Sequence, residues 1–259
     1  MIIPRLKGGL GNQMFGIAAA YAAAKKINTN YAINYNLKHY SGQGYEPSIY
    51  KSTFFKNIPE TNSFFSKIYN EPGFEYIPIP EVNDVIIDGY FQSEKHFKKY
   101  SHEIKQLFFF TNEIKLKVDG ALNKTKTKKL VIHIRLGDYL LPSYKSTHFV
   151  CSRDYYNNAL KQFNLNEYTI LICTDSPDIY QKYFNIENAI VCNGKNELED
   201  LYLISQCDAV ILTNSSFSWW GAYLGKTKEK ICAPIKWFGV DGPKNYSDIY
   251  LDNWTIINI

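Results

Sequence analysis

His133, Arg135 and Asp138 stand two and three residues apart in a run that begins Leu130-Val131-Ile132, at the middle of a 259-residue chain. The apolar, β-branched start of that run has the pattern of a buried strand in a parallel sheet. Arg135 falls where the strand should end, and Gly137-Asp138 then turns the chain. Ligands of open α/β sheets sit outside the carboxyl ends of the strands. The spacing therefore aims an arginine, a side chain suited to phosphate, at a ligand with a carboxylate beside it. The plain alternative is a buried histidine, a capping aspartate and a structural arginine.

Three more stretches carry polar chemistry at strand ends. Asn214-Ser215-Ser216-Phe217-Ser218 follows the apolar run 209–213 and precedes Trp219-Trp220. Serine hydroxyls and helix-start amides converge there as a phosphate cradle; capping needs one serine, and three in four residues exceed that need. The tryptophans read as helix–sheet packing. Asp175, after the run 169–173, could accept two hydrogen bonds from a guanine edge or a ribose, or could cap a helix before Pro177. Gly8-Gly9-Leu10-Gly11-Asn12-Gln13 lies between a short strand and an Ala-rich helix, where glycines let the backbone approach an anion. Met14 replaces the third glycine of a dinucleotide fingerprint, and the Lys-Ser/Thr of a nucleoside-triphosphate loop is absent. Asn12 and Gln13 make it a polar binding turn. No His/Cys/Asp cluster has metal-ligand spacing, so phosphate charge is expected to be met by Arg135 and backbone amides rather than by a divalent ion.

The elements that must position these groups alternate. A strand at 2–6, the glycine loop at 7–13, a helix at 15–26 and a strand at 31–35 open a Rossmann-like unit. Residues 38–82 mix Gly, Pro, Asn and aromatics without period, and are expected to form a substrate-facing excursion. A strand at 85–87 leads into a polar-aromatic helix ending near Leu107. The basic tract 123–129, without apolar residues, reads as the linker. Beyond it, strands at 130–135, 169–173, 189–192, 209–213 and 230–233 alternate with helices, as a doubly wound parallel sheet requires, the last strand closing the sheet. The expected architecture is α/β: two Rossmann-like domains, 1–127 and 128–259, facing across a cleft.

Bulk numbers narrow the class. At 45% hydrophobic and 21% charged, the chain has ample core. Aromatics at 16% are high, and some of those rings are expected to line a cleft while most are core. The net charge of +4 suits an anionic ligand and is too weak to argue for nucleic acid. Five cysteines without a Cys-x-x-Cys pair read as free thiols in a reducing compartment. The start, Met1-Ile2-Ile3-Pro4-Arg5, is too quickly interrupted for a signal peptide, and no window approaches a transmembrane span. The expectation is a cytoplasmic protein, peripheral to a membrane face at most.

Four blocks together resemble the α-1,2-fucosyltransferases, the bacterial branch of glycosyltransferase family 11: residues 8–15, residues 89–95 (Gly89-Tyr90-Phe91-Gln92-Ser93-Glu94-Lys95), residues 133–139 and residues 213–222. They occur in the family's order and span most of the chain. The resemblance implies a GT-B-like pair of Rossmann domains, acceptor side first and nucleotide-sugar donor side second, with GDP-β-L-fucose as donor, inversion at the anomeric carbon and no obligatory metal or other cofactor. It implies an oligosaccharide or lipid-linked glycan acceptor, usually the 2-OH of a terminal galactose, as in surface-polysaccharide synthesis. By the same resemblance Arg135 serves the donor β-phosphate, His133 lies near the nucleotide, Ser215, Ser216 and Phe217 hold the pyrophosphate, Asp175 contacts guanine, and Asn214, Gly9, Gly11, Asn12 and Gln13 belong to the donor-binding set. Asp138 is the expected general base, with Glu94 and His148 in reserve. The sequence departs at Leu136, where the family more often has a second arginine, which removes a helper contact and leaves the role of the first arginine. Two alternatives stand beside this: a transferase of the same fold with another acceptor or donor, and a non-catalytic glycan-binding module, which measurable GDP affinity would exclude.

Overall fold

The computed structural model describes residues 1–37, 44–144, 146–192, 194, 196–226 and 228–258; part of the irregular stretch, residues 38–43, lies outside them. The chain divides into two units, Met1–Thr111 with Asn245–Leu251, and Asn112–Lys244 with Asp252–Ile259.

The first unit opens with β1 (Ile2–Arg5) and α1 (Leu10–Lys26). The helix begins five residues before the expected Phe15. Gly8 takes a φ of +62°, which turns the chain at once, and the Gly9 carbonyl accepts the amides of Asn12 at 3.0 Å and Gln13 at 3.1 Å. Gly11, Asn12 and Gln13 are therefore first-turn helix residues rather than loop. Ala19, Ala20 and Ala24 pack on Ile2, Val85 and Ile87, where small side chains let helix and sheet approach. The expected strand at 31–35 is reduced to bridges from Ile2 to Tyr31 and from Ile33 to Glu60. Asn34 explains this: its Oδ1 accepts the Asn36 amide at 2.9 Å and its Nδ2 donates to the Ser63 carbonyl at 2.8 Å, so the side chain bends the segment. β2 (Ile68–Asn70), β3 (Val85–Asp88) and α2 (Ser101–Leu107) follow. The sheet is small and parallel, in the order β1-β3-β2. The aromatics of the irregular stretch are partly core here. Phe54 and Phe55 are buried, and Phe54 lies 5.4 Å from Phe108 and 5.0 Å from Phe110.

The second unit starts with α3 (Asn112–Leu122), sixteen residues before the expected domain boundary. Lys117 pairs with Glu199 at 2.5 Å and Tyr202 Oη donates to Asp119 at 3.3 Å, which ties α3 to the second unit. The basic tract is thus a connection inside that unit and not a linker. Residues 245–251 in turn belong to the first unit, where Asp248 accepts the Tyr76 amide at 2.8 Å and pairs with Lys95. The remaining elements are β4 (Lys128–Ile134), α4 (Arg153–Leu160), β5 (Tyr168–Thr174), α5 (Pro177–Tyr183), β6 (Ile190–Cys192), α6 (Glu197–Gln206), β7 (Ala209–Ile211), α7 (Ser216–Leu224), β8 (Lys230–Pro234) and β9 (Thr255–Ile257). All pairings are parallel, in the order β6-β5-β4-β7-β8-β9, so β9 and not β8 closes the sheet. Leu130, Ile132 and Ile134 of β4 pack with Tyr155, Tyr156 and Ala159 of α4. Trp219 and Trp220 are fully buried, with Trp219 stacked 4.9 Å from Tyr223, as packing residues. The five cysteines are unpaired, and all but Cys192 are buried.

No helix among the described residues is long and apolar enough to cross a membrane.

Candidate active site

Renumbered within the second unit, its strand order is 3-2-1-4-5-6, the order of a Rossmann sheet, and its switch point lies between β4 and β7. In sheets of this order ligands bind at that point, in the crevice outside the carboxyl ends of the strands. The ladder pairs Ile132 with Ile211, so Arg135, three residues on, comes level with Asn214 as the two chains leave the sheet. Adjacent strands lie about 5 Å apart, so the β4 loop and the start of α7 share the crevice.

Arg135 is held from one side. Its Nε and Nη2 donate to Asp138 Oδ1 at 3.1 and 2.8 Å, and Nε lies 3.1 Å from Asp175 Oδ2. Its planar face lies 5.8 Å from the centre of the Tyr139 ring. Burial opposes the charge of Arg135, but Asp175 and then Asp138 outweigh it and raise its pKa above the usual arginine value. Among the described residues nothing engages Nη1, and the side chain is 30% exposed. The guanidinium therefore offers a fixed, charged, outward edge.

α7 supplies the second half. Ser215 is its N-cap, with Oγ accepting the Phe217 amide at 3.3 Å, and Ser218 Oγ donates to the Ser215 carbonyl at 3.2 Å. Two of the three serines thus serve the helix itself. Among the described residues nothing hydrogen-bonds the amide or hydroxyl of Ser216, at the first helical position. The helix start and its dipole leave that N–H as an anion donor.

His133 and Phe217 sit beside each other, ring centres 5.6 Å apart. His133 is 4% exposed, its Nδ1 has no hydrogen-bond partner, and burial with help from Arg135 pushes its pKa down to about 3. The ring is therefore neutral at physiological pH and leaves a buried polar atom unsatisfied. Asn214 is committed to the fold: Nδ2 donates to the Trp237 carbonyl at 2.8 Å and Oδ1 accepts from Thr213 Oγ1 at 3.1 Å. Its expected donor contact reduces to its backbone, because the side chain is spent.

Asp175 is likewise engaged at both oxygens, Oδ1 accepting the Leu136 amide at 2.9 Å and Oδ2 facing Arg135. Both oxygens are thus turned to the β4 loop, which makes Asp175 a support of Arg135. Leu136, where the family more often has arginine, is 2% exposed and packs in the core. Tyr139 was not marked by spacing; it is buried, its hydroxyl donates to the Asn214 carbonyl at 3.1 Å, and it ties the β4 loop to the β7 loop. Nothing in the local sequence signals that role, because its partner lies 75 residues away. His148 lies tilted against Tyr139, ring centres 4.5 Å apart, and burial lowers its pKa.

The glycine loop belongs to the first unit. Gln13 is fully buried, its Nε2 donating to the carbonyls of Gly8 at 3.1 Å and Tyr45 at 2.8 Å; Asn12 Oδ1 accepts from Gln92 Nε2 at 2.6 Å. Both side chains work as local struts. Glu94, also in that unit, stands 3.8 Å from Lys98.

One titratable group near the sheet's carboxyl edge is unused by this arrangement. Asp200 on α6 accepts the Gly194 amide at 3.1 Å, and burial pushes its pKa up to about 7. A folded-state pKa raised above the unfolded value means stability that is present at low pH and is lost as pH rises from about 4 through 7. Asp200→Asn is expected to leave the melting temperature unchanged at pH 4.5 and to stabilise at pH 8 by about 2 kcal/mol, roughly half of the full linkage value. Equal melting shifts at the two pH values would remove burial as the cause.

Comparisons of sequence and structure give the family in which this site stands. The family described as Glycosyl transferase family 11 matches residues 3–258. The O-antigen biosynthesis glycosyltransferase WbnK of Escherichia coli is 28% identical, over 96% of this chain and 98% of its own. An alpha-1,2-colitosyltransferase of Escherichia coli is 26% identical, over 92% of each. Among solved structures, the NodZ alpha-1,6-fucosyltransferase of Bradyrhizobium co-crystallized with GDP aligns with a TM-score of 0.56 at 17% identity, over 86% of this chain and 92% of that one. That likeness shows a shared GT-B-like fold. With residues 3–258 of its 259 inside the family match, the chain belongs to glycosyl transferase family 11.

Proposed function

We propose that this chain is an inverting glycosyltransferase that moves L-fucose from GDP-β-L-fucose to a glycan hydroxyl, the 2-OH of a terminal β-galactoside, in surface-polysaccharide synthesis and without a metal ion. The observation that carries the reading is Arg135, braced on its Nε side and free at Nη1, beside the free Ser216 amide. Such a pair fits a pyrophosphate leaving group. As the fucose–phosphate bond breaks, charge grows on the departing GDP, and donors fixed beforehand stabilise it without reorganising. The neutral His133 ring and Phe217 would line the nucleotide side. The Escherichia coli relatives, one named for O-antigen synthesis and one for α-1,2 transfer, support the pathway class and the linkage.

Asp138 is the proposed acceptor of the hydroxyl proton: Oδ1 holds Arg135, and no described residue engages Oδ2. Asp138→Asn is expected to cut kcat about 100-fold, in the usual range for a general base, and to flatten the acid limb of the pH–rate profile. An unchanged acid limb in that variant leaves Asp138 as a brace alone.

A second donor is favoured by one observation, the colitosyltransferase among the relatives: the same nucleotide could carry colitose. Incubation with GDP-fucose or GDP-colitose against a panel of β-galactosides, with and without EDTA, separates the readings. GDP release from GDP-fucose that needs an acceptor and survives EDTA is the expected result. Absence of both transfer and donor hydrolysis with either sugar sinks the proposal.

A further inference from the structure

The loop after β5 grips the loop after β4. Asp175 Oδ2 lies 3.1 Å from Arg135 Nε while Oδ1 takes the amide of the next residue, Leu136, at 2.9 Å. Ser176 Oγ accepts the Gly137 amide at 3.1 Å, and its own amide is held by Thr174 Oγ1 at 3.2 Å. The strands that carry the loops are in register, Ile134 beside Thr174. Gly137 is what lets the loops close, because a Cβ there would run into Asp175 Oδ2 and lie 3.3 Å from its Cγ. Asp175 therefore holds both the guanidinium and the backbone that carries it.

We propose that Asp175 is a positioning residue that fixes the direction of Arg135 and, by offsetting its charge, holds down its affinity for the nucleoside diphosphate it helps to expel. The inference rests on the reading of Arg135 as the donor-phosphate ligand. Two carboxylates face one guanidinium, Asp138 at 2.8 Å and Asp175 at 3.1 Å. They weaken its attraction for any bound anion and leave its orientation intact. Only stabilisation realised in the transition state raises turnover, and attraction shared by donor, transition state and product mainly slows release. A rigid, partly compensated arginine separates the two: geometry serves the moment of bond breaking, and the resident carboxylates limit how tightly GDP is kept.

Asp175→Asn isolates this role. It keeps the oxygen that accepts the Leu136 amide, removes the negative charge, and sets an NH2 against Arg135 Nε, donor against donor. The single-turnover transfer rate is expected to fall about 10- to 100-fold, as for a misplaced catalytic group. GDP should bind as tightly as to the wild type or up to about fivefold tighter, because a competing charge near ε of about 20 is gone. Acceptor KM should stay within about twofold, an uncoupled contact. Ser176→Ala, which loses only the Gly137 contact, should change rate and GDP affinity by less than about threefold. Loss of GDP affinity by the same factor as the rate overturns the proposal, since that is what collapse of the loop would do; a wild-type rate overturns it equally. Solvent exchange of the Leu136 amide, which Asp175 Oδ1 holds, followed by NMR without nucleotide, should be slow in the wild type and in Asp175→Asn and at least about tenfold faster in Asp175→Ala. Equal exchange in the wild type and Asp175→Ala overturns the brace. If the wild type binds no GDP, the functional reading falls, and the exchange measurement still decides the brace.

Discussion

Arg135→Ala is expected to lower transfer about 10³-fold, the upper range for removing one fixed donor to developing charge, while the protein stays folded. The structure gives the reason for each half. Nη1 has no partner among the described residues, so the charge it presents is available to a ligand and serves no other contact. The side chain is 30% exposed and its partners Asp138 and Asp175 are 20% and 23% exposed, so the ion pairs are partly solvated and contribute about 1 kcal/mol or less to stability. Arg135→Lys should rescue poorly, remaining about 100-fold down, because an ammonium cannot bond a carboxylate on one edge and a phosphate on the other in one plane. Initial rates of GDP release from GDP-fucose with acceptor, paired with circular-dichroism melting, test both halves. Transfer within threefold of wild type in a folded Ala variant would falsify the assignment of Arg135 to the leaving group.

Much of the second unit was legible because its strands are what periodicity detects. Leu130–Ile132 in β4 and Ile170–Cys173 in β5 are short apolar runs, and their strands are buried on both faces there. Arg135 and the serine loop were both expected at strand ends of this sheet, and the ladder sets their strands side by side; the strand order itself could not be read from the sequence. α3 escaped because only Ile114 and Val118 of its eleven residues are buried, which leaves almost no stripe to read. β9 escaped as three residues, Thr255–Ile257, added at a sheet edge. At 31–35 the aromatic and β-branched residues read as strand, but Asn34 offered the backbone a turn, and local side-chain bonds won over propensity.

The candidate site was legible by residue type and less so by role. Arg135, Asp138, His133, Ser215, Ser216 and Phe217 stand where a strand-end ligand would be met. Roles that depend on a partner distant in sequence were not readable. Asp175 looks like a ligand carboxylate until Leu136 and Arg135, 39 and 40 positions away, take its oxygens. Asn214 looks like a polar lining residue until Trp237 takes its amide. Gln13 looks like a binding-loop residue until the Gly8 and Tyr45 carbonyls claim it. In each case the residue type announces hydrogen bonding, and only the tertiary fold says with what.

Ser216→Pro should separate the helix-start amide from everything else that α7 does. Proline is accepted at the first helical position, where φ already suits it and the N–H has no partner within the helix. The residue before it must be extended, and Ser215 already is, at φ −134° and ψ 127°. The cap from Ser215 Oγ to the Phe217 amide does not involve Ser216 and should persist. The variant therefore deletes the N–H proposed to meet the pyrophosphate, together with the Ser216 hydroxyl, and little else. Loss of one bond to a charged acceptor is worth about 1.5–3 kcal/mol, so GDP affinity should fall about 10- to 150-fold while melting temperature shifts by no more than about two degrees. Ser216→Ala keeps the amide and removes the hydroxyl alone, so the ratio between the two variants apportions the contact between backbone and side chain. An Ala variant as weak as the Pro variant assigns the phosphate to the hydroxyl; a Pro variant that binds GDP like the wild type takes α7 out of the leaving-group site and leaves Arg135 to act without it.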